Sequence, residues 1–252
     1  MAEQLKTDLI QYLSQFVTAE RQALFQRVIA RRTRYLALVL EDIEDPHDAC
    51  AVMRSCECFG VQDLYMVANR VDFKLSAGVA VGASKWISAR KFADSREQAG
   101  METPGRRCLA ELRRLGYCIA ALSAQPGVAP IHDLPLDRKV ALWMGSETSG
   151  LSAALLAEAD VCVRLPTHGF VADFNLSVAA ALALSILRAR LEESGVDFRL
   201  ARKERRDLQL AWLARSPKRI KSLVARFLTD HNLRPEQLRD ACIERETLQL
   251  LL

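Results

Sequence analysis

GSETSGLSAALLAEADVCVRLPTHGFVADFNLSVAAA, residues 145–181, opens with two glycines, Gly145 and Gly150, placed around Glu147. They follow the β-rich run VALWMG (140–145) and precede a helical pattern at about 152–159. Glycines between a strand and a helix admit dihedrals closed to other residues and let a ligand approach backbone amides. Taken alone, such a loop is common in α/β proteins, and Glu147 has a plainer use in complementing the positive end of a helix. The stretch continues with a short strand, CVRLPT (162–167), and a loop containing Pro166 and Gly169. Asn175 then caps an apolar helix that runs to Ser194-Gly195. Alanine-rich helix faces pack closely, so a core or dimer-contact helix is the ordinary expectation here.

Upstream, short β-rich runs alternate with helical segments. ALVLEDI (37–43) is followed by a helix from about 49, then DLYMVA (63–68), KWISAR (85–90), a helix at about 106–115 stopped by Gly116, and CIAALSA (118–124). This alternation predicts an α/β domain with a parallel sheet covered by helices. Ahead of it, Leu5 to Phe16 and Ala19 to Arg32 carry apolar residues at helical spacing, with Thr18 as an N-cap. Behind it, residues 204–250 read as two or three amphipathic helices broken near Ser216-Pro217 and Arg234-Pro235. The expected organisation is a helical extension over 1–34, a central domain over 35–195 and a second helical extension over 196–252.

The 252 residues and 50 % hydrophobic content suffice for a sizeable core. The net charge of +4 is unevenly placed: Arg188 to Arg226 holds twelve Lys/Arg against five Asp/Glu, and Arg27, Arg31, Arg32 and Arg34 form a second basic run. Basic helices at both ends suit the phosphates of RNA, although solvated helix faces look the same. The N-terminus lacks the pattern of a signal peptide, and no apolar run approaches the roughly 20 residues of a membrane helix, so a cytoplasmic protein without membrane contact is expected. Seven cysteines, without any CxxC pair, indicate neither a disulfide framework nor a metal site and are expected to be small buried residues. A nicotinamide-binding Rossmann domain is disfavoured, because no strand leads into GxGxxG and Gly78 and Gly82 lack that spacing.

A further segment, Asp45-Pro-His-Asp48-Ala-Cys-Ala-Val-Met-Arg54-Ser55, follows the first strand and enters a helix. Arg54 would project from its first turns toward the end of the sheet, and a plain surface arginine is the alternative. The order and spacing of this segment, of GxExxG and of the Leu165–Ala181 stretch resemble the SpoU branch of the SPOUT RNA 2′-O-methyltransferases, most closely its TrmH-like tRNA guanosine enzymes. The resemblance runs from about Ala19 to Gly195, includes Gly82-Ala-Ser-Lys-Trp86, and continues more loosely to about Leu233.

That resemblance implies a parallel α/β domain with a C-terminal trefoil knot, a homodimer, and S-adenosyl-L-methionine as methyl donor. Periodicity by itself points to an ordinary doubly wound sheet. By motif position the family implies Leu122, Gly145, Leu165 and Phe174 around the donor, Arg54 as the catalytic arginine, and Glu147 and Asn175 as supports of the active site. Arg34 and Arg164 become candidates for RNA contact, joined by Arg215, Lys218 and Arg219 of the basic C-terminal helices. The implied substrate is structured RNA, with a guanosine of the tRNA D-loop first and ribosomal RNA as the alternative. An RNA-binding homologue that no longer transfers methyl is the alternative of another class.

Two positions depart from the family pattern: Asp48 stands where asparagine is usual, and Asp173 where serine is usual. If Asp48 lay against Arg54, the ion pair would hold the guanidinium charged and make it a poorer base, while Asp173 would repel RNA phosphate.

Overall fold

A computed structural model describes residues 2–70, 82–94, 102–125, 127–171, 173–241 and 243–252. They form two compact units, Met1–Arg32 with Arg199–Leu252, and Thr33–Phe198. In chain order the elements are α1 (Ala2–Ser14), α2 (Ala19–Ile29), β1 (Thr33–Glu41), α3 (Pro46–Cys58), β2 (Val61–Ala68), β3 (Ser88–Ala93), α4 (Pro104–Arg114), β4 (Cys118–Leu122), β5 (Ala129–Pro130), β6 (Val140–Met144), α5 (Ala153–Glu158), β7 (Val161–Arg164), α6 (Leu176–Glu193), α7 (Arg202–Ala214), α8 (Ile220–Asp230), α9 (Pro235–Asp240) and α10 (Arg245–Leu251).

The second unit is a seven-stranded sheet in the order β3-β2-β1-β6-β4-β7-β5, with every pairing parallel. Central strand β1 shows why both faces are covered. Leu36, Leu38 and Leu40 enter one apolar cluster with α3 and α6, while Ala37 and Val39 enter the other with α4 and Leu155 of α5. A strand apolar on both faces is the mark of a buried parallel sheet. Leu38 lies opposite Leu64 of β2 and Leu142 of β6. From β1 the chain first builds outward through β2 and β3, and it later builds the other half beyond β6. The strand order therefore reverses between β1 and β6, and open α/β sheets bind ligands beyond the carboxyl ends of their strands near such a point.

In the first unit the terminal helices pack on one another. Tyr12 of α1 meets Phe227 of α8 at 5.2 Å between ring centroids, and the buried Arg32 guanidinium lies 5.4 Å from the Trp212 ring centroid. Lys6 is fully buried and paired with Asp207 of α7.

Several boundaries differ from the sequence expectations. β1 begins at Thr33 and stops at Glu41, because Asp42 has φ 52° and cannot continue an extended strand. The helix expected from about 49 starts at Pro46, whose fixed φ suits a first turn, and the Asp45 carboxylate accepts from the His47 amide at 2.8 Å. KWISAR is a strand only from Ser88, since residues 83–85 form a 3₁₀ turn led by Gly82 at φ 79°. The two-residue β5 was not anticipated, and the C-terminal region holds four helices rather than two or three. The cysteines are not uniformly buried: Cys58, the last residue of α3, is exposed and Cys162 is half-buried. Cys242 lies outside the described residues, as do Gly78 and Ala172.

Candidate active site

The loop from β6 to α5 is folded back tightly on itself. A Cβ on Gly145 would lie 2.1 Å from the carbonyl carbon of Gly150 and 2.2 Å from its oxygen, so glycine is required by a backbone-to-backbone approach. The Gly150 amide donates to the Ser146 carbonyl at 2.8 Å, and Gly150 itself sits at φ 62°. Ser146 is buried, and its hydroxyl accepts from the Ser149 amide at 3.1 Å and meets the Ser149 hydroxyl at 2.8 Å.

Glu147 projects from this loop to the start of α6. Its Oε1 accepts from Asn175 Nδ2 at 2.6 Å and from the Leu176 amide at 3.0 Å. A carboxylate at a helix N-terminus meets unpaired amides and the positive end of the dipole. The helix served is α6, 29 residues away along the chain, and not the α5 that follows the loop. Asn175 uses its other atom as expected of an N-cap: Oδ1 accepts from the Ser177 amide at 3.0 Å and the Ser177 hydroxyl at 2.6 Å. Its Nδ2 also donates to Asp48 Oδ1 of α3 at 3.3 Å. Thus Asp48, Glu147 and Asn175 from three separate segments share one hydrogen-bonded cluster.

Beside this cluster lies a cavity of about 440 Å³ at the carboxyl ends of β4, β6 and β7. Leu122, Gly145, Leu165 and Phe174 all contribute to its wall, with Glu147 and Asp173. Arg54 is not in the wall. It is exposed on α3 and makes no hydrogen bond or ion pair among the described residues. The conditional Asp48–Arg54 ion pair is not what the structure contains, since Asp48 faces Asn175 instead.

The remaining arginines lie elsewhere. Arg34 is at the opposite, amino end of β1, with a largely buried side chain whose Nε is 3.5 Å from Asp63 Oδ1. Arg164 closes β7 and donates from Nε to the Val128 carbonyl at 3.0 Å. Arg215 belongs to the other unit, where it donates to the Ala211 carbonyl at 3.1 Å and pairs with Glu246 at 3.9 Å. Burial pulls its guanidinium below the ordinary value, against the opposing pull of Glu246 and Glu244. Lys218 and Arg219, just after it, are exposed.

Three residues absent from the sequence-based candidates hold the loop in place. Buried Glu41 accepts from the Ser152 hydroxyl at 2.7 Å, the Ser152 amide at 3.1 Å and Asn69 Nδ2 at 2.9 Å. Buried Asp42 accepts from the amides of Asn69 and Arg70 at 2.7 and 2.9 Å and from Arg70 Nε at 3.1 Å. Arg70 then donates to the Ser149 hydroxyl at 2.8 Å. A Glu-Asp pair ending the apolar run 36–40 of β1 was the available signal, because buried carboxylates need built partners.

The described residues contain no cluster of three metal-ligating side chains and no helix long and apolar enough to cross a membrane.

Comparison with known proteins matches the same segments. Residues 35–185 fit the SpoU rRNA Methylase family. A tRNA (guanosine(18)-2′-O)-methyltransferase of Borreliella burgdorferi is 33 % identical over 200 residues, 79 % of this chain and 87 % of that protein. Among solved structures, the A. aeolicus TrmH/SpoU tRNA modifying enzyme superposes with a TM-score of 0.65 at 24 % identity, covering 78 % of this chain and 96 % of that one. The SpoU methyltransferase AviRb from Streptomyces viridochromogenes, in complex with the cofactor AdoMet, does so at 0.53 and 22 %, covering 68 % and 62 %. Both share the fold. The matched span holds β1 through most of α6, and with it the glycine loop, the Glu147–Asn175 tie and the cavity, so the chain belongs to the SpoU rRNA methylase family.

Proposed function

We propose that this protein transfers a methyl group from S-adenosyl-L-methionine to a ribose 2′-hydroxyl of tRNA, at a guanosine of the D-loop, as a cytoplasmic homodimer. The observation that carries the proposal is the convergence of Leu122, Gly145, Leu165 and Phe174 on one cavity at the carboxyl ends of the strands. The cavity's residues fit the donor on three counts. Its volume of about 440 Å³ is in the range of small-molecule sites. Leu122, Leu156, Leu165 and Phe174 offer apolar surface to a planar base, and the close-packed Gly145–Gly150 turn presents backbone rather than side chain. Glu147 and Asp173 answer positive charge. The 33 % identity to the Borreliella burgdorferi enzyme over most of both chains supports the choice of nucleotide.

S-adenosyl-L-methionine brings a methyl group on a sulfonium, which is a good leaving group. The protein's tasks are to align the ribose oxygen and to let its proton depart. The Glu147–Asn175 bond fixes the start of α6 against the glycine loop, which holds the cavity wall in register. Arg54 is exposed and without a protein partner among the described residues, so its five donors are available to a phosphate or ribose. A guanidinium keeps its proton at neutral pH and carries no acceptor, so Arg54 positions the RNA while the hydroxyl proton leaves to an RNA phosphate or to water.

We assign methyl transfer to residues 35–195 and RNA holding to the helical segments 1–34 and 196–252, with Lys218 and Arg219 among their exposed cations. The trefoil knot belongs to the same proposal: the bond from the Leu176 amide to Glu147 ties the chain after β7 to the loop after β6. For the homodimer the support is exposed apolar surface on and just before α6. Phe170 and Val171 are exposed in the loop before α6, and Val178 and Leu182, one turn apart on α6, are 46 % and 38 % exposed.

The test is incubation with methyl-labelled S-adenosyl-L-methionine and unmodified tRNA transcript, followed by nucleoside mass spectrometry. Label in 2′-O-methylguanosine at the D-loop is expected. Label in ribosomal RNA alone would move the substrate, and no label in any RNA that the protein binds would overturn the enzyme.

A further inference from the structure

The cavity beside the glycine loop carries two carboxylates, Glu147 and Asp173, and no Lys, Arg or His among its described wall residues. Their situations differ. Glu147 is engaged by the Asn175 side chain and the Leu176 amide at the positive end of α6, so much of its charge is answered within the protein. Asp173 is exposed and makes no hydrogen bond or ion pair among the described residues. It stands two residues before the Asn175 cap and next to Phe174, which shares the same wall. An unanswered carboxylate on the wall of a cavity without a fixed cation stabilises a positively charged occupant and does little for a neutral one.

We propose that Asp173 makes this cavity prefer the positively charged methyl donor over its demethylated product, and so promotes exchange after each turnover. The inference rests on the reading that the cavity holds S-adenosyl-L-methionine. In the transfer the sulfur–methyl bond breaks and its electron pair stays on sulfur. The methyl carbon bonds to the ribose oxygen, and the hydroxyl proton leaves to a relay phosphate or to water. The sulfonium becomes an uncharged thioether, and the ligand's net charge falls from about +1 to about 0 at neutral pH. Adenine, ribose, ammonium and carboxylate are common to both ligands. The ratio of the two affinities therefore cancels those groups and reports the sulfonium with its methyl group, and the change in that ratio between wild type and a variant reports the field at the sulfur. Glu147 contributes to that field in every variant below, so the comparison isolates Asp173.

The experiment is calorimetric titration of the wild-type protein, Asp173→Asn and Asp173→Ser with S-adenosylmethionine and with S-adenosylhomocysteine, at low and high salt. Both substitutions remove the charge at an exposed position, and a thermal melt of each verifies folding. Wild type is expected to favour the donor, and the donor-to-product affinity ratio is expected to fall about three- to tenfold in both variants, the scale of one partly solvated charge pair. High salt narrows the ratio in wild type and has less effect in the variants. An unchanged ratio in both variants overturns the role of Asp173 and leaves the donor site standing. Failure of wild type to bind either ligand overturns the donor site, and this inference with it.

Discussion

Replacing Gly145 by alanine tests the architecture of the glycine loop more sharply than any change of charge. The added Cβ would sit 2.1 Å from Gly150 C, 2.2 Å from Gly150 O and 2.4 Å from Leu151 N. Carbon atoms rest about 3.5–4.0 Å apart, so the Gly150–Leu151 backbone must retreat by more than ~1 Å. That backbone is not free to go. Gly150 donates to Ser146 at 2.8 Å, and Ser152, one residue beyond Leu151, is held at its amide and hydroxyl by Glu41. Overpacking costs roughly 1–3 kcal/mol, and loss of the turn bond adds about 1 kcal/mol. The expected result is a loss of about 2–4 kcal/mol, shared between the fold and the open form of the loop. By calorimetry the midpoint drops by up to ~10 °C for a chain of this size. Donor affinity falls on the order of tenfold as the wall opens. Gly150→Ala is the control: its φ of 62° strains an alanine, but nothing lies within 4 Å of the new Cβ, so about 1–2 kcal/mol is the whole cost. Should Gly145→Ala be tolerated as well as Gly150→Ala in both stability and donor binding, the close approach is not what demands glycine.

Other substitutions separate the remaining roles. Arg54→Ala is expected to lower kcat by at least ~100-fold with a melting midpoint within about 2 °C of wild type, read by single-turnover methyl transfer and calorimetry; near-normal turnover refutes the role of Arg54. Lys218→Ala with Arg219→Ala is expected to weaken tRNA binding and lower the slope of log K against log salt by about 1 for each phosphate no longer neutralised; a parallel slope removes them from the RNA surface. Leu182→Glu should give monomers in sedimentation if the α6 patch is the dimer contact, and an unchanged mass places the interface elsewhere. Arg70→Ala frees Ser149 from its brace and should raise the donor Kd about three- to tenfold, with only a small change in global stability, by titration and urea unfolding.

The parts of this protein that could be read from sequence are those written locally. The alternation of strands and helices, the Thr18 and Asn175 caps, and the glycines of the β6–α5 loop each depend on a few neighbouring residues. Gly145 was legible as a glycine in need of a reason, but the reason, the proximity of Gly150 carbonyl atoms, is three-dimensional. Glu147 shows the limit more plainly. Its place before α5 invited a local capping role, whereas it serves α6 because the strand order sets the start of that helix beside the loop. The Glu41–Asp42–Arg70 brace escaped entirely, since its contacts span 111, 28 and 79 residues of sequence and no periodic pattern encodes them. KWISAR misled because Ile87 and Trp86 have strand propensity while Gly82 starts a tight turn just upstream.

The proposed reaction sets two electrostatic demands that a single field cannot meet, for a cationic donor must be attracted to the cavity and a polyanionic RNA to the surface above it. The protein separates them by element. Carboxylates face the cavity, one answered by the α6 N-terminus and one left open, with no basic side chain among the described wall residues. Arg54 stands outside that wall on α3, and the exposed Lys218 and Arg219 belong to the other unit. The placement of Asp48 is consistent with this division. Its carboxylate accepts from Asn175 Nδ2, a bond that an asparagine oxygen would make equally well, and it leaves Arg54 uncompensated. The strained Asp42 completes the argument: a residue held at φ 52° persists because donors from Asn69 and Arg70 fix its carboxylate, and Arg70, which supplies two of them, continues to the loop on which the cavity depends.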